Sequence, residues 1–380
     1  MNLKVLSRFP GGNAADVEIL NNGPIPEVRF ASDPRGGPEA LWFFFSLEHM
    51  APEPIRETKL KLTWLYFDNV LGAADSSICL PVCQKAGQPW ARLNQGEETR
   101  TPDGRRQLSW LIPYPAPSVD VAFCFPYGQA DVGALIESSQ DYWQATPIGL
   151  SQGGRQILRL HNAVGRVGAT QPGIYIVARQ HSGETPGSWV LDGFLRCLAQ
   201  MEKTDYVIWA VPLTDIDGVV HGCYGKDGFP YDVNRAWGSP PMRHEALVVR
   251  KDVRRWKERC CPMLALDLHA PGACESDGVY AYVSKEDDLP GPLASKENKW
   301  CHALEKELQA DFASPAFKRI IGYRSRWGTP SFADYMRTEM EVPTLTIEIP
   351  YSQVRGTVLT QKSYREIGHR MALTVLHHNF

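Results

Sequence analysis

The 380-residue chain is short of the features that would place it at a glance. It has no excess of charge of one sign: 40 Lys and Arg against 43 Asp and Glu leave a net charge of −3. That balance gives no electrostatic footprint for nucleic acid or anionic lipid. Long apolar runs are missing as well. The densest, LWFFFSL at 41–47, falls far below the roughly 20 residues of a membrane helix. The opening MNLKVLSRFPGGNAADVEIL contains no apolar core of signal-peptide length. Neither a nucleic-acid nor a membrane partner is expected, and the expected compartment is the cytoplasm. The nine cysteines, an odd number, form no framework, and Cys260 and Cys261 are adjacent, so reduced thiols are expected. Cys79 and Cys83 have no second pair, which argues against a zinc ribbon. There is no HExxH, no internal repeat and no low-complexity tract.

What is present is ordinary for a soluble globular protein: 43% hydrophobic and 22% charged residues. The length suits two domains. Over the first 125 or so residues, short apolar stretches such as EALWFFFSL, ETKLKLTWLYF, RQLSWLIPY and VDVAFCFPY are broken by Pro, Gly and Asn. No convincing long helix interrupts them, so residues 1–127 are read as an antiparallel β-sandwich. DVGALIESSQDYW (131–143) has helical character, and TPIGLSQGGRQILRL after it is rich in turn residues. Further on, the apolar strands GIYIVA (173–178), YVIWAV (206–211), MLALDLH (263–269) and TLTIEI (344–349) alternate with amphipathic helices at 188–201, 293–312 and 364–378. Strands apolar on both faces and interleaved with helices predict an α/β domain over 128–380, with a mostly parallel or mixed twisted sheet flanked by helices. Ligands bind such sheets beyond the carboxyl ends of the strands. His181, His269 and Glu348 all fall at or near such ends.

His181 and Glu184 form an HxxE pair in ARQHSGETPGSWV. Spacing alone says little, since roughly one such pair is expected by chance in a chain with ten histidines. His302 and Glu305, in CHALEKEL, are a second one. That pair lies within an amphipathic helix, where residues three apart share a face, and reads as helix surface. His181 and Glu184 instead sit where a strand turns into a helix, with Gly183 between them. His269 ends another strand before Ala-Pro-Gly and offers a second imidazole. Two nitrogens and a carboxylate leave one position of a tetrahedral zinc ion open, as a hydrolytic site requires. Each histidine taken singly is more often a core or turn residue bonded to backbone.

Supporting groups follow. Asp232, in YDVNRAW, is a candidate to accept the other N–H of His181. Arg235 can grip a carboxylate with its planar fork, and Asn234 can add a donor, although the same two residues could simply cap a helix. Glu348, flanked by Ile347 and Ile349 in an apolar strand, is costly unless it is paired or chemically employed.

The segments ARQHSGETPGSWVLDGFL, DIDGVVHGCYGKDGFPYDVNRAW, ALDLHAPG and TLTIEIPY resemble, in this order, the M14 zinc carboxypeptidases. They are most similar to the cytosolic carboxypeptidase branch. EALWFFFSL and FCFPYGQADVGALI resemble the amino-terminal sandwich of that branch, so the likeness covers nearly the whole chain. It implies that His181, Glu184 and His269 bind one zinc ion, that Asn234 and Arg235 hold the substrate's terminal carboxylate, that Glu348 is the general base, and that Asp232 orients a zinc histidine. The substrate implied is the carboxyl end of a peptide or protein, or a side-chain-linked glutamyl bond. Where the branch usually has an arginine for the oxyanion, the chain offers Lys226, which supplies charge without a fork. No tyrosine can be assigned as a capping donor, with Tyr323 and Tyr351 merely near. Arg324, Arg326 and Arg355 flank the Glu348 region, either as determinants for an acidic terminal side chain or as solvated surface. Zinc-dependent N-acyl amino acid deacylases resembling aspartoacylase or a desuccinylase share HxxE, a later histidine and an NR pair. The SWVLDGFL helix and the sandwich domain count against them. A non-enzymatic relative would be expected to lose a ligand or the base.

Overall fold

The computed structural model describes residues 3–378, apart from 22, 51–58, 115–116, 202–204, 286–287, 321 and 323–324. Tyr323 and Arg324 lie outside the described residues. The amino-terminal part holds ten strands: β1 (Leu3–Leu6), β2 (Ala15–Leu20), β3 (Glu27–Ala31), β4 (Phe44–His49), β5 (Lys59–Trp64), β6 (Val82–Lys85), β7 (Ala91–Arg92), β8 (Glu97–Arg100), β9 (Arg106–Pro113) and β10 (Ser118–Ala122). They form two five-stranded sheets, ordered β1-β4-β10-β6-β7 and β2-β3-β5-β9-β8. The alternation in KLKLTW explains the layering: Leu60, Leu62 and Trp64 are buried while Lys59 points to solvent. Phe30, Phe43, Phe45, Trp64 and Phe123 meet edge-on or tilted between the sheets, with neighbouring ring centroids 4.7–6.2 Å apart. One pairing departs from the antiparallel expectation: β3 and β5 run parallel.

After α1 (Gln129–Ser138) the chain enters an eight-stranded mixed sheet ordered β11-β12-β14-β13-β15-β18-β16-β17. Its strands are β11 (Gln144–Leu150), β12 (Gln156–His161), β13 (Pro172–Ala178), β14 (Val207–Val211), β15 (Cys261–His269), β16 (Val279–Val283), β17 (Ala313–Ile320) and β18 (Thr344–Glu348). Helices α2 (Thr185–Gln200), α3 (Ile216–His221), α4 (His244–Lys257), α5 (Gly291–Phe312), α6 (Phe332–Thr338) and α7 (Gln361–His377) connect or follow them. The helix read at 131–143 stops at Ser138, because Gln140 and Asp141 adopt left-handed backbone and Trp143 turns inward to donate to the Leu195 carbonyl at 2.8 Å. The turn residues that follow proved to be only the tip of the β11–β12 hairpin.

Strand β14 is buried at every residue and β13 at all but its first, as expected of strands covered on both faces. Helices α2 and α7 cross at Gly193 and Gly368, where the backbone of each fills the space a Cβ would need. The sandwich docks close to the large sheet's carboxyl edge. The Ala273 N–H donates to the Leu71 carbonyl at 2.8 Å, and Gly72 and Gly272 touch backbone to backbone. Across the same junction Arg92 donates to the Leu359 carbonyl at 2.7 Å and to the Tyr364 hydroxyl, while a third bond to the Leu80 carbonyl holds it within the sandwich. All nine cysteines are free. Among the described residues no helix is long and apolar enough to cross a membrane.

Candidate metal centre

Three parallel neighbours place the central groups. β13 pairs with β15 and β15 with β18, in a register that sets Ala178 opposite Leu268 and His269 opposite Glu348. The loop leaving β13 therefore comes out beside His269 and Glu348. Its shape is held from within by Arg179, left-handed at φ 60°, whose buried guanidinium bonds the Ser182 and Tyr127 carbonyls. Burial lowers the Arg179 pKa to about 10. Gly183 lies against Tyr224 with no room for a side chain, which brings His181 and Glu184 onto one turn at the head of α2.

The three side chains converge. His181 Nδ1 lies 2.9 Å from Glu184 Oε1, His269 Nδ1 lies 2.7 Å from Glu184 Oε2, and the two Nδ1 atoms are 3.2 Å apart. All are buried, with one ligand atom from each within 4.8 Å of the others. The far edges of both rings face carboxylates: His181 Nε2 is 3.2 Å from Asp232 Oδ1, and His269 Nε2 is 2.9 Å from Asp267 Oδ1. A proton on each Nε2 leaves both Nδ1 lone pairs aimed at the space Glu184 shares with them. Two nitrogen lone pairs and a carboxylate facing one another repel unless a cation lies between them, so the donor set fits a divalent metal ion.

The charges agree with this. Burial alone would depress the His181 and His269 pKa values, but for His181 Glu184 and Asp232, and for His269 Asp267 and Glu184, more than offset it and hold both above the ordinary range. Burial would raise Glu184 and Asp232. The neighbouring imidazoles outweigh it and keep both carboxylates below theirs. Glu348 differs: burial raises its pKa, Glu184 adds to the rise, and Lys226 and the histidines only partly oppose it. Its Oε2 is buried and has no hydrogen-bond partner among the described residues.

A cavity of about 480 Å3 opens over these groups, and His181, His269, Glu348, Lys226, Asp232, Asn234 and Arg235 all reach it. Lys226 Nζ stands 3.9 Å from Glu184 Oε1. Arg235 bonds the Ser325 hydroxyl at 3.0 Å and its neighbour's carbonyl at 2.7 Å. The Asn234 amide is engaged on both sides. Its oxygen accepts from the Phe332 N–H and from Gln180, and its nitrogen faces Asp267 and His269. Tyr351 is buried against Phe123 and does not reach the cavity, whereas Tyr280 and Tyr282 line it. Arg355 donates to the Asp277 and Ala313 carbonyls, and Arg326 pairs with Asp227 at 3.8 Å on the cavity wall. His302 and Glu305 are 3.9 Å apart on the outside of α5.

Two supporting residues were not singled out in the sequence. Asp267 stands two residues before His269, so both project from the same face of β15. An acid inside MLALDLH is the same kind of signal that marked Glu348. Gln180 donates to Asp267 at 2.7 Å and accepts from the Trp237 indole at 2.8 Å; nothing local in the sequence marks it. The sandwich also contributes Glu39, Leu71 and Gly72 to the cavity wall.

No family model matches the chain. It is 24% identical over 373 residues to mouse cytosolic carboxypeptidase 6, covering 88% of this chain and 66% of that one. The human cytosolic carboxypeptidase 6 is 24% identical over 280 residues, covering 67% and 54%. The aligned part thus spans only about half to two-thirds of those relatives. A metallo-carboxypeptidase from Burkholderia cenocepacia superposes with a TM-score of 0.77 at 20% identity, covering 99% of this chain and 98% of that one. At that identity the likeness establishes the fold, and it agrees with the two-part architecture expected from the sequence.

Proposed function

We propose that this chain, an M14 cytosolic carboxypeptidase-like protein in sequence and fold, is a zinc-dependent carboxypeptidase that removes the last residue of a peptide or protein chain. One observation carries the reading. Two imidazoles and a carboxylate from two distant segments, the 181–184 turn and the end of β15, meet around one buried point, beside a buried glutamate whose Oε2 has no hydrogen-bond partner among the described residues.

His181, Glu184 and His269 hold the ion. Zinc in that position supplies a Lewis acid and lowers the pKa of water. Glu348 takes a proton from water as the hydroxyl adds to the carbonyl carbon, and then passes that proton to the amine nitrogen as the C–N bond breaks and the carbonyl re-forms. The raised Glu348 pKa suits a group that must both accept and return that proton. Lys226, on the cavity wall, sets positive charge near the oxygen that becomes negative. Arg235 clamps the terminal carboxylate, which only a chain end offers, and that makes the enzyme an exopeptidase. Asn234 supports the same turn, and Asp232 holds the His181 ring. We divide the chain into a sandwich domain at 1–127 and a catalytic domain at 128–380, and place the protein in the cytoplasm.

Glu348→Gln is expected to keep its zinc and lose roughly 10^2–10^4-fold in turnover. Undiminished hydrolysis by that variant rejects the base. A mass-spectrometric screen of peptides varied at the last residue, with glutamyl-branched peptides and N-acyl amino acids alongside and with or without chelator, tests the reaction class. Chelator-sensitive cleavage of N-acyl amino acids alone would make the protein a deacylase.

A further inference from the structure

Arg235 does not stand alone on its turn. The 325–332 segment, between β17 and the head of α6, is fastened over that turn at several points. The Thr329 hydroxyl donates to the Arg235 carbonyl at 2.6 Å, the Trp237 N–H donates to the Pro330 carbonyl at 3.2 Å, and the Phe332 N–H donates to the Asn234 side-chain oxygen at 3.0 Å. The Tyr231 and Trp327 rings pack 4.4 Å apart, and Arg326 pairs with Asp227 at 3.8 Å, so the same two stretches also meet through their side chains. Within this seam Arg235 Nε donates to the Ser325 hydroxyl at 3.0 Å, and Arg235 Nη1 donates to the Asn234 carbonyl at 2.7 Å. The Trp327 N–H donates to the same Ser325 oxygen at 3.2 Å, which fixes that oxygen in turn. Bonds from two different nitrogens of one planar group set the plane of the guanidinium as well as its position. Both Ser325 and Arg235 line the cavity.

Resting on the carboxypeptidase reading, we infer that Ser325 is a positioning residue for the substrate's terminal carboxylate, and that the 325–332 segment is the frame that holds the Arg235 fork toward the cavity. A carboxylate gains two parallel N–H bonds only when the guanidinium lies in its plane. An arginine loose on its stem must give up rotamer freedom at each binding event to reach that orientation. With Nε on Ser325 and Nη1 on a carbonyl, the ordering is done when the chain folds. A carboxamide at the chain end, with one acceptor oxygen and no charge, draws less on the fork than a carboxylate does. Ser325 thus acts on the discrimination between the two ends and not on bond cleavage itself. Its bonds run to Arg235 and Trp327 rather than to Glu348 or the three metal ligands.

The test compares a peptide ending in a free carboxylate with the same peptide ending in a carboxamide, each read at its last peptide bond. Wild type is expected to favour the acid by about 10^2-fold or more in kcat/KM, as loss of a charged, hydrogen-bonded partner allows. Ser325→Ala is expected to narrow that preference about three- to tenfold, through KM rather than kcat, and Ser325→Thr, which keeps the hydroxyl, to restore it. Calorimetric Kd values for the two peptides on zinc-loaded Glu348→Gln protein, with and without Ser325→Ala, read the same ratio without turnover. A preference unchanged in Ser325→Ala, or narrowed equally in Ser325→Thr, overturns the positioning role and leaves the peptidase reading intact. Loss of rate on both peptides alike, with the ratio kept, overturns it in the same way. A wild type that treats acid and carboxamide alike removes the Arg235 clamp and the carboxypeptidase reading, and the role of Ser325 with them.

Discussion

The turn at His181–Glu184 and the helical turn at His302–Glu305 carry the same pair at the same spacing. In the first, both side chains are at least 95% buried and the contact is 2.9 Å. In the second they are 80% and 43% exposed and 3.9 Å apart. The first turn follows a strand whose neighbour β15 delivers His269 and Asp267, with Glu348 on the strand beyond it, while the second follows a helical turn that faces water. An i,i+3 pair on a helix is a weak, solvated contact. The same pair at the carboxyl edge of a parallel sheet inherits whatever the adjacent strands end in. What separates the two pairs is the number of partners each meets away from water.

The comparison breaks most visibly on removal of the shared acid. Glu184→Ala is expected to lose metal, read by elemental analysis after dialysis, and with it roughly 10^3-fold or more in turnover. A Glu184→Ala protein retaining one zinc per chain and full activity would return the buried pair to the status of the exposed one. A smaller effect is expected one bond further out: Asp267→Asn should weaken zinc about 10–100-fold in chelator competition, since it loosens the His269 ring without touching the ion. Unchanged affinity would show that the His269–Asp267 contact is incidental. Next is proton release. Against the effect of burial, the facing carboxylates raise the pKa of both His181 and His269, so protons compete with metal for the two imidazoles. Zinc affinity should therefore fall as pH drops. Calorimetry at neutral pH in buffers of different ionisation enthalpy should show net release, and a buffer-independent heat would contradict this. Smallest of all, His302→Ala and Glu305→Ala should leave zinc content unaltered and move Tm by no more than about 1–2 °C.

Much of the α/β part could be read from residue pattern. The four apolar segments became β13, β14, β15 and β18 within two residues of their expected limits, because strands buried on both faces announce themselves by unbroken hydrophobicity. The three long helices appeared with similar fidelity. Less legible were α4, with its many basic residues, and the β11–β12 hairpin, whose edge position leaves it without a continuous apolar run. In the site, His181, His269 and Glu348 stand out as polar groups at the ends of apolar strands, where they are costly unless employed, and Glu184 by its place three residues after His181 at the head of a helix. Asp267, an acid inside the apolar run MLALDLH, carries the same signal. Gln180 carried none, since its role exists only through contacts with Asp267, Asn234 and Trp237 from three distant segments.

By itself the sequence determined where apolar strands run, which of them end in ligating or titratable side chains, and that its charges nearly balance and no apolar run reaches the length of a membrane helix. Only the tertiary structure decided which of two identical HxxE pairs meets a third ligand. It alone decided that Asn234 spends its amide inside the site, and that the sandwich domain supplies one wall of the cavity. The reason is physical. Periodicity and burial preference are local and are written along the chain, whereas strand order, register and domain docking fix distances between residues tens to hundreds of positions apart, and metal binding depends on those distances to within a fraction of an ångström.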